Sequence, residues 1–335
     1  MNETVTKRRS RFSNAPILNA QGHPIAKPPH ALSETELRVI RALALDRLLS
    51  TRFIAALIGT SYEYAKPVVQ RMGSQPHQYI RLCDEQADPS KQRFYLHSDR
   101  QFELAPLGIE VAADQLGIRI PPRKRVQLIA HQIMADQIMA SLRIGANASG
   151  GRFAILTRDE LLAHKNMPES TRNRKFPDYI PLPDIDGVKK GEHAIRPDRE
   201  MFVVRDTVRG KAFFFPGIEI GTGSETHRPS SGVHDHSYTE SKFKDYITII
   251  NRRIYESYFG SPTFFIAFIE PNQTRVENMM RLLETMTTKN PDLRKSFLFK
   301  MHPRFTDIEK PRADGHALLE DWQRVGCPAF NFQTA

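Results

Sequence analysis

The sequence predicts a multidomain α+β / α/β chain, in which an N-terminal winged helix-turn-helix unit precedes a mixed α/β domain. Three observations carry this expectation. The chain has 335 residues, which implies two domains at roughly 100–200 residues each. Residues 33–116 show helical-period segments with a strand–loop–strand pattern before the last of them. From Phe153 onward, short apolar strand-like runs alternate with helical ones. The implied division is 1–32 as a disordered basic arm and 33–118 as the winged helix. A connecting helix and linker follow over 119–150, the mixed α/β domain over 151–303 and a C-terminal extension over 304–335.

The first unit opens on a capping box, Ser33 with Glu36. Leu37, Ile40, Leu43 and Ala44 then recur at helical spacing, and the pattern runs to Leu48 and Leu49. A second helix carries Phe53, Ile54, Leu57 and Ile58 and stops at Gly59. Thr60 and Glu63 offer another capping box. The third helix then turns Ala65, Val68, Val69 and Met72 inward. Two short helices after a longer one are the helix-turn-helix order, with the third helix as reader. Its polar positions are Tyr62, Glu63, Lys66, Gln70 and Arg71. Lys, Gln and Arg suit phosphates and base edges, so Tyr62, Lys66, Gln70 and Arg71 are candidate DNA contacts. Pro67 inside this helix removes one hydrogen bond, which predicts a kink or a late start. Tyr79–Leu82 and Arg93–Leu96 read as the two strands of the wing, with Arg93 a further contact, and Leu104–Leu116 reads as the closing helix. The same pattern also serves protein partners or a homodimer, and both remain open.

Pro121-Pro122-Arg123-Lys124-Arg125 marks a boundary, and Arg123, Lys124 and Arg125 are candidate phosphate contacts. A helix follows from Val126 to about Leu142, carrying His131 and Asp136, and Gly145–Gly151 reads as a break. Thr157 and Glu160 cap a short helix, and Met167–Gly191 reads as an irregular, proline-punctuated excursion. Strands are predicted over Met201–Val204, Lys211–Ile220, Phe264–Ile269 and Phe297–Phe299. Helices are predicted over about Tyr238–Tyr258 and over Val276–Met286.

Composition narrows the function. Hydrophobic residues make up 40% and charged residues 26%, enough for a chain of this length to build a core without metals or disulfides. Cys83 and Cys327 are the only cysteines, which excludes a disulfide framework and suits a reducing, cytoplasmic setting. A polar, basic start predicts no signal peptide, and no apolar run approaches the ~20 residues of a membrane helix, so no membrane partner is expected. The net charge of +10 attracts phosphate backbones, and Lys7, Arg8, Arg9 and Arg11 could lie along them or merely solubilise the chain. A GxxxxGK[ST] loop, a strand–GxGxxG–helix fingerprint and a GxSxG elbow are all absent from the sequence, so no small-molecule cofactor is expected.

Two carboxylates carry the possible chemistry. Pro197-Asp198 stands before the first strand of a hairpin, and Glu219 lies near the end of the second, 21 residues later. Adjacent strands could bring Asp198 and Glu219 together as ligands of Mg²⁺, which keeps several waters and takes one or two protein carboxylates. Such an ion activates water and stabilises charge on a phosphodiester. A Pro-Asp turn and a surface Glu would look the same in sequence. His227, His234, Asp235 and His236 have ligand types that suit Zn²⁺, but they lie in a Gly/Ser/Pro-rich stretch that reads equally as a solvated loop. Tyr246, Tyr255 and Tyr258 could supply a nucleophile, although their helical spacing fits packing against a sheet.

The order Pro197-Asp198, hairpin, Glu219-Ile220-Gly221-Thr222-Gly223-Ser224-Glu225, then a helix bearing Lys242, Phe243, Tyr246 and Tyr255, resembles the replication-relaxation proteins of bacterial mobile elements and plasmids. The resemblance covers roughly residues 33–290, and His131 and Asp136 fit that family's connecting helix. It implies a winged helix joined to a restriction-endonuclease-like PD-(D/E)xK domain, with double-stranded DNA as partner. It also implies a possible Mg²⁺-dependent nuclease or nickase using Asp198, Glu219 and a lysine. The lysine usual two positions after the Glu is replaced by Gly221, which leaves Lys242 or Lys244 to substitute and Glu225 as an extra acid. The alternative is a non-catalytic DNA-binding regulator or initiator accessory protein with a degenerate nuclease-like domain.

Overall fold

The computed structural model describes residues 31–74, 77–88, 98–120, 129–175, 177, 179–182, 194–200, 202–207, 210–214, 216–221 and 239–335. Several expectations lie outside these residues: the basic arm, the Arg93–Leu96 strand, Arg93, Arg123, Lys124 and Arg125, and the loop with Glu225, His227, His234, Asp235 and His236. The chain is mixed α+β and divides into two compact units. The first takes the described residues up to Ala140 with Phe305–Asp314, and the second takes Ser141–Arg304 with Gly315–Ala335.

In the first unit, helix α1 (Glu34–Asp46) begins as expected. The Glu36 amide donates to Ser33 Oγ at 3.3 Å, and the Ser33 amide donates to the Glu36 carboxylate at 2.9 Å. It ends before the predicted Leu48, because Arg47 takes φ 37° and releases strand β1 (Leu49–Ser50) to pair with another strand. Helix α2 (Thr51–Leu57) stops before Gly59, whose φ of +68° is easy only for glycine. Helix α3 (Tyr62–Met72) is capped by Ser61, whose hydroxyl accepts from the Tyr64 amide, and not by Thr60. Pro67 does not delay its start.

Strand β2 (Ile80–Leu82) leads into the single turn α4 (Asp84–Ala87). Its observed partner is β3 (Gln101–Leu104), in antiparallel register with Ile80 opposite Leu104. Arg93–Leu96, read as the other strand of the wing, lies outside the described residues. The sheet order is β1-β3-β2. β3 also takes the residue assigned to the start of the closing helix, so α5 runs over Pro106–Leu116. Val39, Ile40, Phe53, Ile54, Ala65, Val69, Ile80 and Phe102 are almost fully buried, and each large apolar side chain so removed from water stabilises the fold by roughly 1.5–3 kcal/mol.

Helix α6 (Ile129–Ala148) continues straight through the break predicted at Gly145. Gly145 is there for packing: a Cβ would sit 2.8 Å from the Leu318 Cβ. The division between units falls inside this helix, after Ala140, and not in a loop. Asp136 is structural, accepting from the Leu48 amide at 3.2 Å and from the Gln132 side chain.

In the second unit, strand β4 (Phe153–Leu156) precedes α7 (Arg158–Ala163), capped by Thr157 and Glu160 as predicted, and α8 (Glu169–Arg172). The pair β5 (Ile180–Pro181) and β6 (Ala194–Ile195) follows, and then β7 (Arg199–Glu200). The predicted hairpin is corrected here. Its first strand is β8 (Phe202–Thr207), but Lys211–Ile220 is two strands, β9 (Gly210–Phe214) and β10 (Pro216–Ile220). β8 and β9 join β4 in one sheet, whereas β10 lies in another. Pro216 lacks the N–H that a continued strand would donate to its neighbour.

The single helix predicted over 238–258 is also two, α9 (Thr239–Asn251) and α10 (Ile254–Phe259), broken at Arg253 with φ 53°. Strand β11 (Phe265–Glu270), helix α11 (Gln273–Met286) and, after a 3-10 turn, strand β12 (Phe297–Met301) complete the central sheet. Its order is β12-β11-β10-β7, with β10, β11 and β12 parallel and β7 antiparallel at the edge. Phe243 and Tyr246 of α9 pack edge-on against Phe268 of β11 at 4.8 and 6.1 Å. The stretch read as an extension belongs to both cores. Phe305 lies with Leu48, Cys83 and Ile133, and α12 (His316–Leu319), Trp322, Phe330 and Phe332 are buried in the second unit.

Candidate functional site

The central sheet brings three of the predicted site residues together. β7 and β10 pair with Arg199 opposite Ile218, and one further step along that register sets Asp198 opposite Glu219. The Ile220 amide donates to Asp198 Oδ2 at 2.9 Å, which fixes the aspartate at the end of β10. It is therefore β7, and not the first hairpin strand, that delivers Asp198. Glu219 is almost fully buried. Lys242, in the first turn of α9, sets its Nζ 2.5 Å from Glu219 Oε2, and the Tyr246 hydroxyl donates to Glu219 Oε1. Lys242 and Tyr246 are four residues apart, hence on one helix face. Lys244 points elsewhere and pairs with Glu240 at 3.0 Å.

The electrostatics follow from burial. Loss of water and the nearby Asp198 charge push the Glu219 carboxyl up to about 7, against the opposing pull of Lys242 and the Tyr246 hydrogen bond. Burial and the Glu219 charge hold the Tyr246 hydroxyl protonated well above its ordinary range. Tyr246 thus acts as a donor to Glu219. Tyr255 stacks on Phe264 at 5.6 Å, and Tyr258 is buried, its hydroxyl bonded to backbone carbonyls.

Gly221 has a role that sequence reading missed. A Cβ there would lie 2.1 Å from Glu270 Oε1, so the glycine makes room for the carboxylate at the end of β11. Glu270 is buried and takes a 2.7 Å hydrogen bond from Arg275 Nε. An acid therefore stands beside position 221, supplied by the neighbouring strand and paired with a cation. The available signal was a charged residue directly after the apolar run of residues 264–269.

Among the described residues no three His, Cys, Asp or Glu side chains converge as a metal cage. Asp198 and Glu219 nevertheless fit Mg²⁺ in kind and number, as hard oxygen donors from two carboxylates. Lys242 is the cation that holds Glu219 in this structure.

In the first unit, Tyr62 and Lys66 are exposed on α3, with Lys66 Nζ 5.7 Å from the centre of the Tyr62 ring, and Gln70 is half-buried beside them. These three line one concavity. Arg71 does not. Its guanidinium is bound to Glu36, with Nε and Nη2 each 3.1 Å from Oε1, and it ties α3 to the cap of α1. No described helix is long and apolar enough to cross a membrane. Comparison of the chain with protein-family models, with curated proteins and with solved structures finds no match.

Proposed function

We propose that this chain is a cytoplasmic DNA-binding protein of a mobile element or plasmid, acting in its replication, transfer or control. The first unit is read as a winged helix-turn-helix that holds double-stranded DNA. The second is read as a PD-(D/E)xK-like unit that nicks it. The observation that carries the nuclease reading is the convergence of Asp198, Glu219 and Lys242 at the end of β10, from an edge strand, a central strand and the following helix. Asp198 and Glu219 would hold Mg²⁺, which supplies charge stabilisation on the phosphodiester. Lys242 would substitute for the lysine that enzymes of this type usually carry two positions after the Glu, where this chain has Gly221. Its ammonium keeps the Glu219 charge compensated and offers a donor to developing negative charge.

A specific observation favours a second reading, a non-catalytic regulator or initiator accessory protein. Both Glu219 oxygens already hold protein donors, and the space beside Gly221 is filled by the Glu270–Arg275 pair. One assay separates the two. Supercoiled plasmid is incubated with Mg²⁺ or Mn²⁺ and either the wild type or Asp198→Ala. Nicking by the wild type alone is the expected result. Binding without nicking by either protein, with either metal, selects the second reading.

A further inference from the structure

Beside α3 lies a pocket of about 280 Å³, and its walls come from three separate elements. Arg52 comes from the first turn of α2, Tyr62, Lys66 and Gln70 from α3, and Asp99 and Arg100 from the approach to β3. By liquid volume the space is that of roughly nine waters, ample for a phosphate group with its sugar oxygens. Among the described residues, Arg52, Lys66 and Arg100 line it together with the carboxylate of Asp99. That carboxylate holds Arg52 only loosely, at 3.6 Å between nitrogen and oxygen, and the Arg52 side chain is 54% exposed. A half-exposed pair at this distance yields readily to a more highly charged anion. The concavity therefore has the size, sign and donor types of a phosphodiester seat.

We propose that this pocket seats a phosphate of the DNA backbone through Arg52, Lys66 and Arg100. The proposal rests on the reading of the first unit as a DNA-binding module and changes its contact set. Arg52 and Arg100 enter from α2 and the approach to β3, while Arg71, committed to Glu36, leaves. The Tyr62 ring at the rim, already beside Lys66, would cover the sugar face of the same nucleotide.

The test is the salt dependence of binding to a labelled DNA duplex, followed by fluorescence anisotropy over a series of KCl concentrations. Each lost phosphate contact lowers the slope of log K against log salt by about 0.9. The triple variant Arg52→Gln, Lys66→Gln, Arg100→Gln, which empties the seat of its one phosphate, should therefore lower it by about 0.9, and the Arg52→Gln, Arg100→Gln pair by a part of that. All three side chains reach the surface, and an unchanged circular dichroism melt verifies that the variants fold. A wild type that binds, with variants that fold and keep its full slope, overturns the pocket and leaves the DNA-binding reading standing. A wild type that binds no duplex at all overturns both.

Discussion

Burial and the neighbouring Asp198 push the Glu219 carboxyl up to about 7, although Lys242 and Tyr246 both favour its charged form. An unfolded chain would release this proton in the ordinary carboxylate range, so between there and pH 7 the folded chain binds the extra proton. Stability from this group is therefore fully present at low pH and is lost as pH rises through about 7, by about 3 kcal/mol in total. Urea unfolding of the metal-free protein at pH 5 and pH 8 reads this directly. The wild type should lose stability over that interval relative to Glu219→Gln, which cannot ionise, and equal pH dependence in the two proteins would exclude the effect. Asp198 and Glu219 were legible in the sequence because their residue types and order suit the chemistry, whereas Lys242 entered only through the resemblance, beside Lys244. Tyr246 was visible as a tyrosine at helical spacing, as a possible nucleophile and as part of the resemblance, but not as a donor to Glu219. Its bond to Glu219 depends on how α9 lies over β10, which local pattern does not encode.

At the level of elements, capping was the most readable feature. Ser33 with Glu36 and Thr157 with Glu160 form the capping boxes that their spacing predicts, because a cap is a contact within four residues. Where elements end was less readable. α1 stops early to release β1, the 211–220 run splits between two sheets, and one predicted helix breaks at Arg253. The first two of these ends answer to strand partners distant in sequence. Arg71 is a case in which element packing overrides a residue-type reading. Its guanidinium joins α3 to the buried Glu36 at the start of α1, where the Ser33 and Arg71 contacts outweigh burial and keep the Glu36 carboxyl below its usual range. Arg71→Gln is expected to cost about 1 kcal/mol of stability by chemical denaturation, and to leave the salt slope of DNA binding unchanged. A lowered slope with intact stability would return Arg71 to the contact set.

The whole chain carries one tryptophan, Trp322, buried in the second unit, so its emission reports on that unit alone. The first-unit variant Ser33→Ala should lose about 1 kcal/mol of helix-cap stabilisation. The far-UV transition should then move to lower denaturant while the Trp322 emission midpoint stays. Both moving together would mean that the two units unfold as one. The sequence by itself determined the α+β character, the helix starts capped by Ser33 and Thr157, and the candidate carboxylates Asp198 and Glu219. These follow from composition, periodicity and contacts between near neighbours in the chain. Tertiary structure alone decided which strand delivers Asp198, that Gly221 yields its space to Glu270, that Gly145 is a packing glycine and not a break, and that residues 305–335 belong to both cores. Each of these depends on close approach between segments far apart in sequence, where shape and burial, not local pattern, select the partner.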